Sequence, residues 1–231
     1  MVEYFSLINE FVIAFTGYAI CVVTLRKDSK NVAHKLLALS LFLIGVYGTS
    51  IAIYDLIGIE SVLHFFARFG IIALFFGVLF LYFTFQVIVH TKVWLEEKIH
   101  TWPFLIGVAI YGIVFYAWEG AIEITPGPVV NSKIALSMMA ILGVSVLLIL
   151  LVTMFNLYRF GIKPSEGVKR RKMILTLCGF LISIVALVVN VASNLPMVDD
   201  AVGTILDSIY FLILAVGMIF IAYGFIGPSR N

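Results

Sequence analysis

Charge is the scarcest ingredient of this chain. Only 12% of its 231 residues are Asp, Glu, Lys or Arg, against 62% hydrophobic. A water-soluble domain carries about 25% charge on about 45–50% apolar content, so this composition cannot cover a water-facing surface. It also excludes a disordered chain, a collagen and a disulfide scaffold. Cysteine is nearly absent: Cys21 and Cys178 both fall within apolar stretches and read as small packing residues. Proline is missing from the interior of every apolar stretch. Pro103 sits at a first turn, and Pro126, Pro128, Pro164, Pro196 and Pro228 lie in connectors or the tail. Transporters with broken helices mark their sites with Gly/Pro interruptions, and the lack of interior proline counts against that class. No HExxH, CxxC, GxSxG or phosphate-cradling loop occurs. His34, His64, His90 and His100 are scattered, with no pair at metal-ligand spacing in one stretch. The final stretch, AVGTILDSIYFLILAVGMIFIAYGFI, has no lysine for a Schiff base, which excludes a retinal protein. The expectation is a protein that is not an enzyme and has neither metal nor cofactor.

What remains is hydrophobic length. Seven apolar stretches cover roughly 4–25, 35–57, 61–90, 102–118, 133–158, 173–194 and 201–226. They are too long, and alternate too little, for barrel strands. The chain reads as a single domain of the all-α class: a polytopic seven-transmembrane helix bundle in the cell membrane, with the lipid bilayer around it. No Lys or Arg precedes the first stretch, so it does not read as a cleaved signal. With the N-terminus outside and the C-terminus inside, every Lys and Arg except Arg68 and Lys133 falls on the inner side. This placement is what topology demands, so nucleic acid is not expected as a partner. Trp94, Trp102 and Trp118 read as interfacial anchors. Glycines within the stretches, among them Gly45, Gly48, Gly107, Gly179 and Gly217, read as points of close helix packing. The phenylalanines of the third stretch read as packing or lipid-facing residues rather than as a ligand box.

Ionisable residues inside a span are costly and mark candidate sites. Arg68 and Asp207 both lie roughly 10 Å below the outer ends of their spans. Asp55 is near the outer end of the second span, Glu10 is partway down the first, and Asn190 and Asn194 are in the outer part of the sixth. His64 is one turn above Arg68, and Tyr47, Tyr54 and Tyr210 are close enough in depth to join. One reading is a salt bridge from Arg68 to Asp207 or Asp55 that staples the bundle. The other is an outward-facing ligand site of Arg68, Asp207, Asp55, His64, Asn190 and Tyr210, with Arg68 taking an anion or carboxylate. Separate snorkelling of these side chains to the headgroups is the third. At the inner face, Arg159, Lys169, Arg170, Arg171 and Lys172 form the densest basic group. It suits a cytoplasmic partner or anionic lipid.

Three segments carry a family resemblance. LRKDSKNVAHKLLALSLFLIGVY places Arg26, Lys27 and Asn31 before the second span. EGVKRRKMILTLCGFLISI opens the sixth span with Lys169 to Lys172, and FLILAVGMIFIAYGF closes the seventh with Ala222 and Tyr223. In order and spacing these resemble the seven-helix N-terminal sensor region of prokaryotic histidine kinases, over nearly the whole chain. The resemblance implies a receptor-like sensor that works through a cytoplasmic signalling partner or as a homo-oligomer. It departs from that family after the last span. There Gly224, Gly227 and Pro228 interrupt the helix that would run into kinase domains, so a standalone member or a truncated one is expected. A small solute transporter or channel, and a structural subunit of a larger membrane assembly, are the alternatives.

Overall fold

The computed structural model describes residues 2–57, 60–125, 131–195 and 197–227. Eight helices occur among them: α1 Val2–Lys27, α2 Val32–Ile57, α3 Glu60–His90, α4 Lys92–Glu96, α5 Lys98–Ala117, α6 Leu136–Asn156, α7 Gly167–Ser193 and α8 Asp200–Ile226. Two short antiparallel strands, β1 Ile122–Thr125 and β2 Asn131–Ile134, join α5 to α6. The all-α class holds, with one boundary corrected. Residues 133–134, placed at the start of a span, belong instead to a hairpin that pairs Glu123 with Lys133 and Ile122 with Ile134. Pro126, Pro128, Pro196, Pro228 and Arg230 lie outside the described residues.

Six helical segments are long and apolar enough to cross a membrane: 6–27, 32–56, 62–90, 136–162, 167–193 and 201–226. The apolar part of α5 is shorter, from Thr101 to Ala117. Its length of roughly 25 Å falls below the ~30 Å of a bilayer core. These helices are apolar on their outer faces as well as their inner ones. Phe15 is 74% exposed, Ile113 68% and Val188 61%. Helices that are hydrophobic all round fit a lipid surrounding, and the fold fits a multi-pass membrane helix bundle.

The helices close into a ring. α1 packs on α2, α2 on α3, α3 on α6, α6 on α7, α7 on α8, and α8 returns to α1, with α5 outside against α3. Small residues permit the tightest of these contacts. A Cβ on Gly17 would lie 2.6 Å from the Leu41 carbonyl oxygen, and one on Gly179 would lie 2.7 Å from the Ile221 backbone nitrogen. Gly45, Gly48 and Gly217 sit in the same crowded seams, as their sequence positions suggest, whereas Gly107 faces open space. The middle of the ring is filled. Phe85 meets Phe180 edge-on at 5.0 Å between α3 and α7, and Tyr47 meets Phe211 at 6.0 Å between α2 and α8. Phe75, Phe83 and Phe85 are buried in this core, while Phe65 and Phe69 are exposed, so the third span divides its phenylalanines between core and surroundings.

Several helix ends differ from the sequence-based boundaries, each for a local reason. α5 begins at Lys98, so Pro103 lies inside the helix rather than at its first turn. Its missing N–H costs a bond there. α4 is short, and its Trp94 packs on Tyr82 at 5.9 Å and Phe83 at 6.1 Å, so this tryptophan is held in the bundle rather than standing alone at the interface. α6 continues through a wider π-type turn, Leu157–Ile162, in which the Lys163 N–H donates to the Tyr158 carbonyl at 3.0 Å. α7 starts at Gly167, with φ +56°, so the basic residues 169–172 form its first helical turns instead of a connector. Asn31 accepts the Ala33 N–H at 2.9 Å and caps the start of α2. Cys21 and Cys178 are both free thiols.

Candidate functional site: a carboxyl cluster at the hairpin end

The polar residues within the helices gather at two ends of the bundle, and for different reasons. Arg68 is the first example. Its guanidinium donates to the carbonyls of Tyr116 at 2.5 Å, Trp118 at 3.2 Å and Glu119 at 3.3 Å. These carbonyls lie at and just beyond the end of α5, where the helix supplies few further N–H donors, although the Trp118 carbonyl also accepts the Ala121 N–H at 3.1 Å. A cation at a helix C-terminus also meets the negative end of the helix dipole. Tyr116 adds its ring face, 5.9 Å from the guanidinium carbon. Arg68 therefore caps α5. The expected salt bridge to Asp55 or Asp207 is not among its bonds. The reason is location: Arg68 faces the α5 side of α3, whereas Asp207 sits among α7, α8 and α1. His64 stays on α3, half-buried, with a buried Nδ1 that has no hydrogen-bond partner. Arg68 and His64 thus leave the candidate ligand site.

Asp55, Asp207 and Tyr210 do come together. With them are Glu10 and Tyr47, polar groups of similar depth named above, and Ser193, which the sequence did not single out. Glu10 of α1 and Asp55 of α2 are direct side-chain neighbours, and Asp207 of α8 is near enough to act electrostatically on both. The hydroxyls of Tyr47 and Tyr210 meet each other beside Asp207. Ser193, in the last turn of α7, donates to the Asp207 carboxylate and lies 2.8 Å from the Asn190 carbonyl. Asn194 donates to that same carbonyl at 2.9 Å and to Ser193 Oγ at 3.1 Å. Asn190 thus takes part through its backbone oxygen. On α1, Ser6 donates to Glu10 Oε1 at 3.1 Å, and Asn9 reaches across to the Ser208 carbonyl of α8 at 3.3 Å. The i, i+4 spacing of Ser6 and Glu10, with Asn9 beside them, is the sequence signal for a polar stripe on α1. Among the described residues, no Lys, Arg or His forms an ion pair with Glu10, Asp55 or Asp207. No group of three His, Cys, Asp or Glu side chains there is close enough to hold a metal ion.

The opposite end of the same helices is basic. Lys172 of α7 donates to the Gly227 carbonyl at 2.6 Å. Lys27 of α1 donates to the carbonyls of Ile226 and Gly227. Two lysines from two helices thus close the carbonyl end of α8, by the chemistry that Arg68 uses on α5. Lys172, expected in a partner-binding patch, is committed to this cap. Lys169, Arg170 and Arg171 are exposed, and Arg159 is exposed over the Phe160 ring at 5.1 Å. One further space is an apolar groove of about 520 Å³ between α3 and α5, lined by residues such as Ile72, Phe76 and Gly112.

No family model matches the chain, and no curated protein matches it.

Proposed function

We propose that the chain is a non-catalytic, receptor-like sensor of the cell membrane, with its input in the carboxyl cluster and its output at the opposite, basic end. The observation that carries this reading is the convergence of Glu10, Asp55 and Asp207 from the first, second and last long helices, without a cation among the described residues. Intramembrane carboxyls are expensive, and a site is the usual reason for them. In this reading α5 is the seventh span, at the short end of the usual range. The N-terminus and the hairpin lie outside, and the exposed Arg159, Lys169, Arg170 and Arg171 lie inside, following the positive-inside rule. There they meet a cytoplasmic signalling partner, anionic lipid or a second copy of the chain. A ligand shifts the bundle only by binding one helix arrangement better than another. The cluster ties α1, α2, α7 and α8 together, so it is placed to make that difference.

The filled ring favours sensing over conduction, because Phe85, Phe180 and Phe211 occupy its middle. The test is reconstitution together with purification of the native complex. A co-purifying signalling protein whose capture needs Lys169 to Arg171 is the expected result. Substrate-dependent solute flux into liposomes would replace this reading with transport, and a scaffold assembly without a signalling protein would replace it with a structural role.

A further inference from the structure

Glu10 presents a specific chemical mismatch. It is 1% exposed, and while Oε1 accepts the Ser6 hydroxyl, Oε2 is buried with no hydrogen-bond partner. The side chain beside it is another carboxyl, that of Asp55. If both were ionised, two acceptors would face each other and Oε2 would stay bare, a costly arrangement away from water. One proton on Oε2 reverses this. The O–H then donates to the Asp55 carboxylate, and both groups are satisfied by atoms already in place. Among the described residues, none donates a hydrogen bond to Oε2. α2 adds Tyr47 and α8 adds Tyr210, but their hydroxyls pair with each other; Asp207 of α8 is served by Ser193 of α7. Asn194 donates within α7, and Asn9 of α1 donates to the Ser208 carbonyl.

We propose that Glu10 and Asp55 hold one exchangeable proton between α1 and α2, and that this proton is the ligand of the sensing site. The inference rests on reading the cluster as the input. On release, the O–H bond of Glu10 breaks, its electron pair stays on Oε2 and the proton passes to water. The cluster gains one negative charge. Repulsion between neighbouring carboxylates in a low-dielectric interior then drives α1 away from α2 and α8. α1 also carries Lys27 onto the last carbonyls of α8, so the displacement reaches the far end of the bundle.

The experiment is infrared spectroscopy of the full chain in lipid nanodiscs, with ¹³C-labelled glutamate. The expected result is a carbonyl stretch of a protonated glutamic acid at neutral pH, absent from Glu10→Gln and shifted in frequency in Asp55→Asn. Its loss at alkaline pH should coincide with faster amide exchange at residues 223–227. A wild-type spectrum without that band at neutral pH overturns the proposal, whatever the variants do. A band that survives in Glu10→Gln overturns it too, since the proton then resides elsewhere. Should Glu10→Gln fail to fold, Ser6→Ala keeps both carboxyls, and it must keep the band. Solute flux or a missing partner bears on the sensor reading alone and leaves the band in place.

Discussion

Arg68 illustrates how a residue in a membrane helix acquires its partner. Its charge makes a carboxylate the obvious expectation, yet it bonds three carbonyl oxygens at and beyond the end of α5. Backbone carbonyls at a helix end lack intrahelical donors, and a nearby cation can serve them. A fork of guanidinium donors meets several at once. Hydrogen bonds to a charged group contribute about 1.5–3 kcal/mol each, with neighbouring ones sharing their worth. Arg68→Gln should therefore lower stability by about 2 kcal/mol, seen as a reduced melting temperature in detergent, and Arg68→Lys should recover only part of it. An unchanged melting temperature in Arg68→Gln would remove the capping role. Glu10 is the counter-example. Its depth in the first span was plain from the sequence, but its pairing with Asp55 depends on how α1 leans on α2.

At the scale of the element, two features hold the helices at their spacing. One is the close approach of α7 and α8 at Gly179, where any Cβ would meet the Ile221 backbone. Overpacking of this kind costs about 1–3 kcal/mol. Gly179→Leu should thus destabilise the protein more than Gly107→Leu, since Gly107 has open space around it; equal melting temperatures for the two variants would contradict the assigned seam. The other is the pair of lysines on the α8 terminus. Replacing Lys27 and Lys172 together by Met should fray the last turn. Hydrogen exchange at residues 223–227 should rise while exchange in the middle of α8 stays unchanged. If the protection of that turn is unaffected, the lysines are surface charges that happen to lie close. The basic run 169–172 also shows a limit of sequence reading. As a string it is one patch, but the helix that begins at Gly167 turns Lys172 towards α8 and leaves the others exposed.

For the molecule as a whole, the testable property is its orientation. In a variant with Cys21 and Cys178 replaced by Ala, a single cysteine at Lys163 should react with a membrane-impermeant maleimide only from the cytoplasmic side. One at Glu119 should react only from outside. Both residues are exposed, so labelling reports sidedness rather than burial. Reversed labelling, Glu119 from the cytoplasmic side and Lys163 from outside, would remove α5 from the count of spans and invert the arrangement that follows it.

The sequence by itself determined that the chain belongs with membrane helices, and roughly where they run. Composition and the length of apolar runs are local quantities, and a helix satisfies its own backbone without reference to its neighbours. It also determined which residues are anomalous: Glu10, Asp55, Arg68 and Asp207 stand out because charge in an apolar run is expensive wherever it ends up. Only the tertiary structure decided what each of them is for. The rotation of each helix about its axis, and the order in which helices neighbour one another, are set by packing at seams such as Gly17 on Leu41 and Gly179 on Ile221. That packing turned Arg68 to the end of α5 and brought Glu10, Asp55 and Asp207 to face one another. The β1–β2 hairpin and the π-type turn after α6 were not read from the sequence either: both are short and carry no long periodic pattern to mark them.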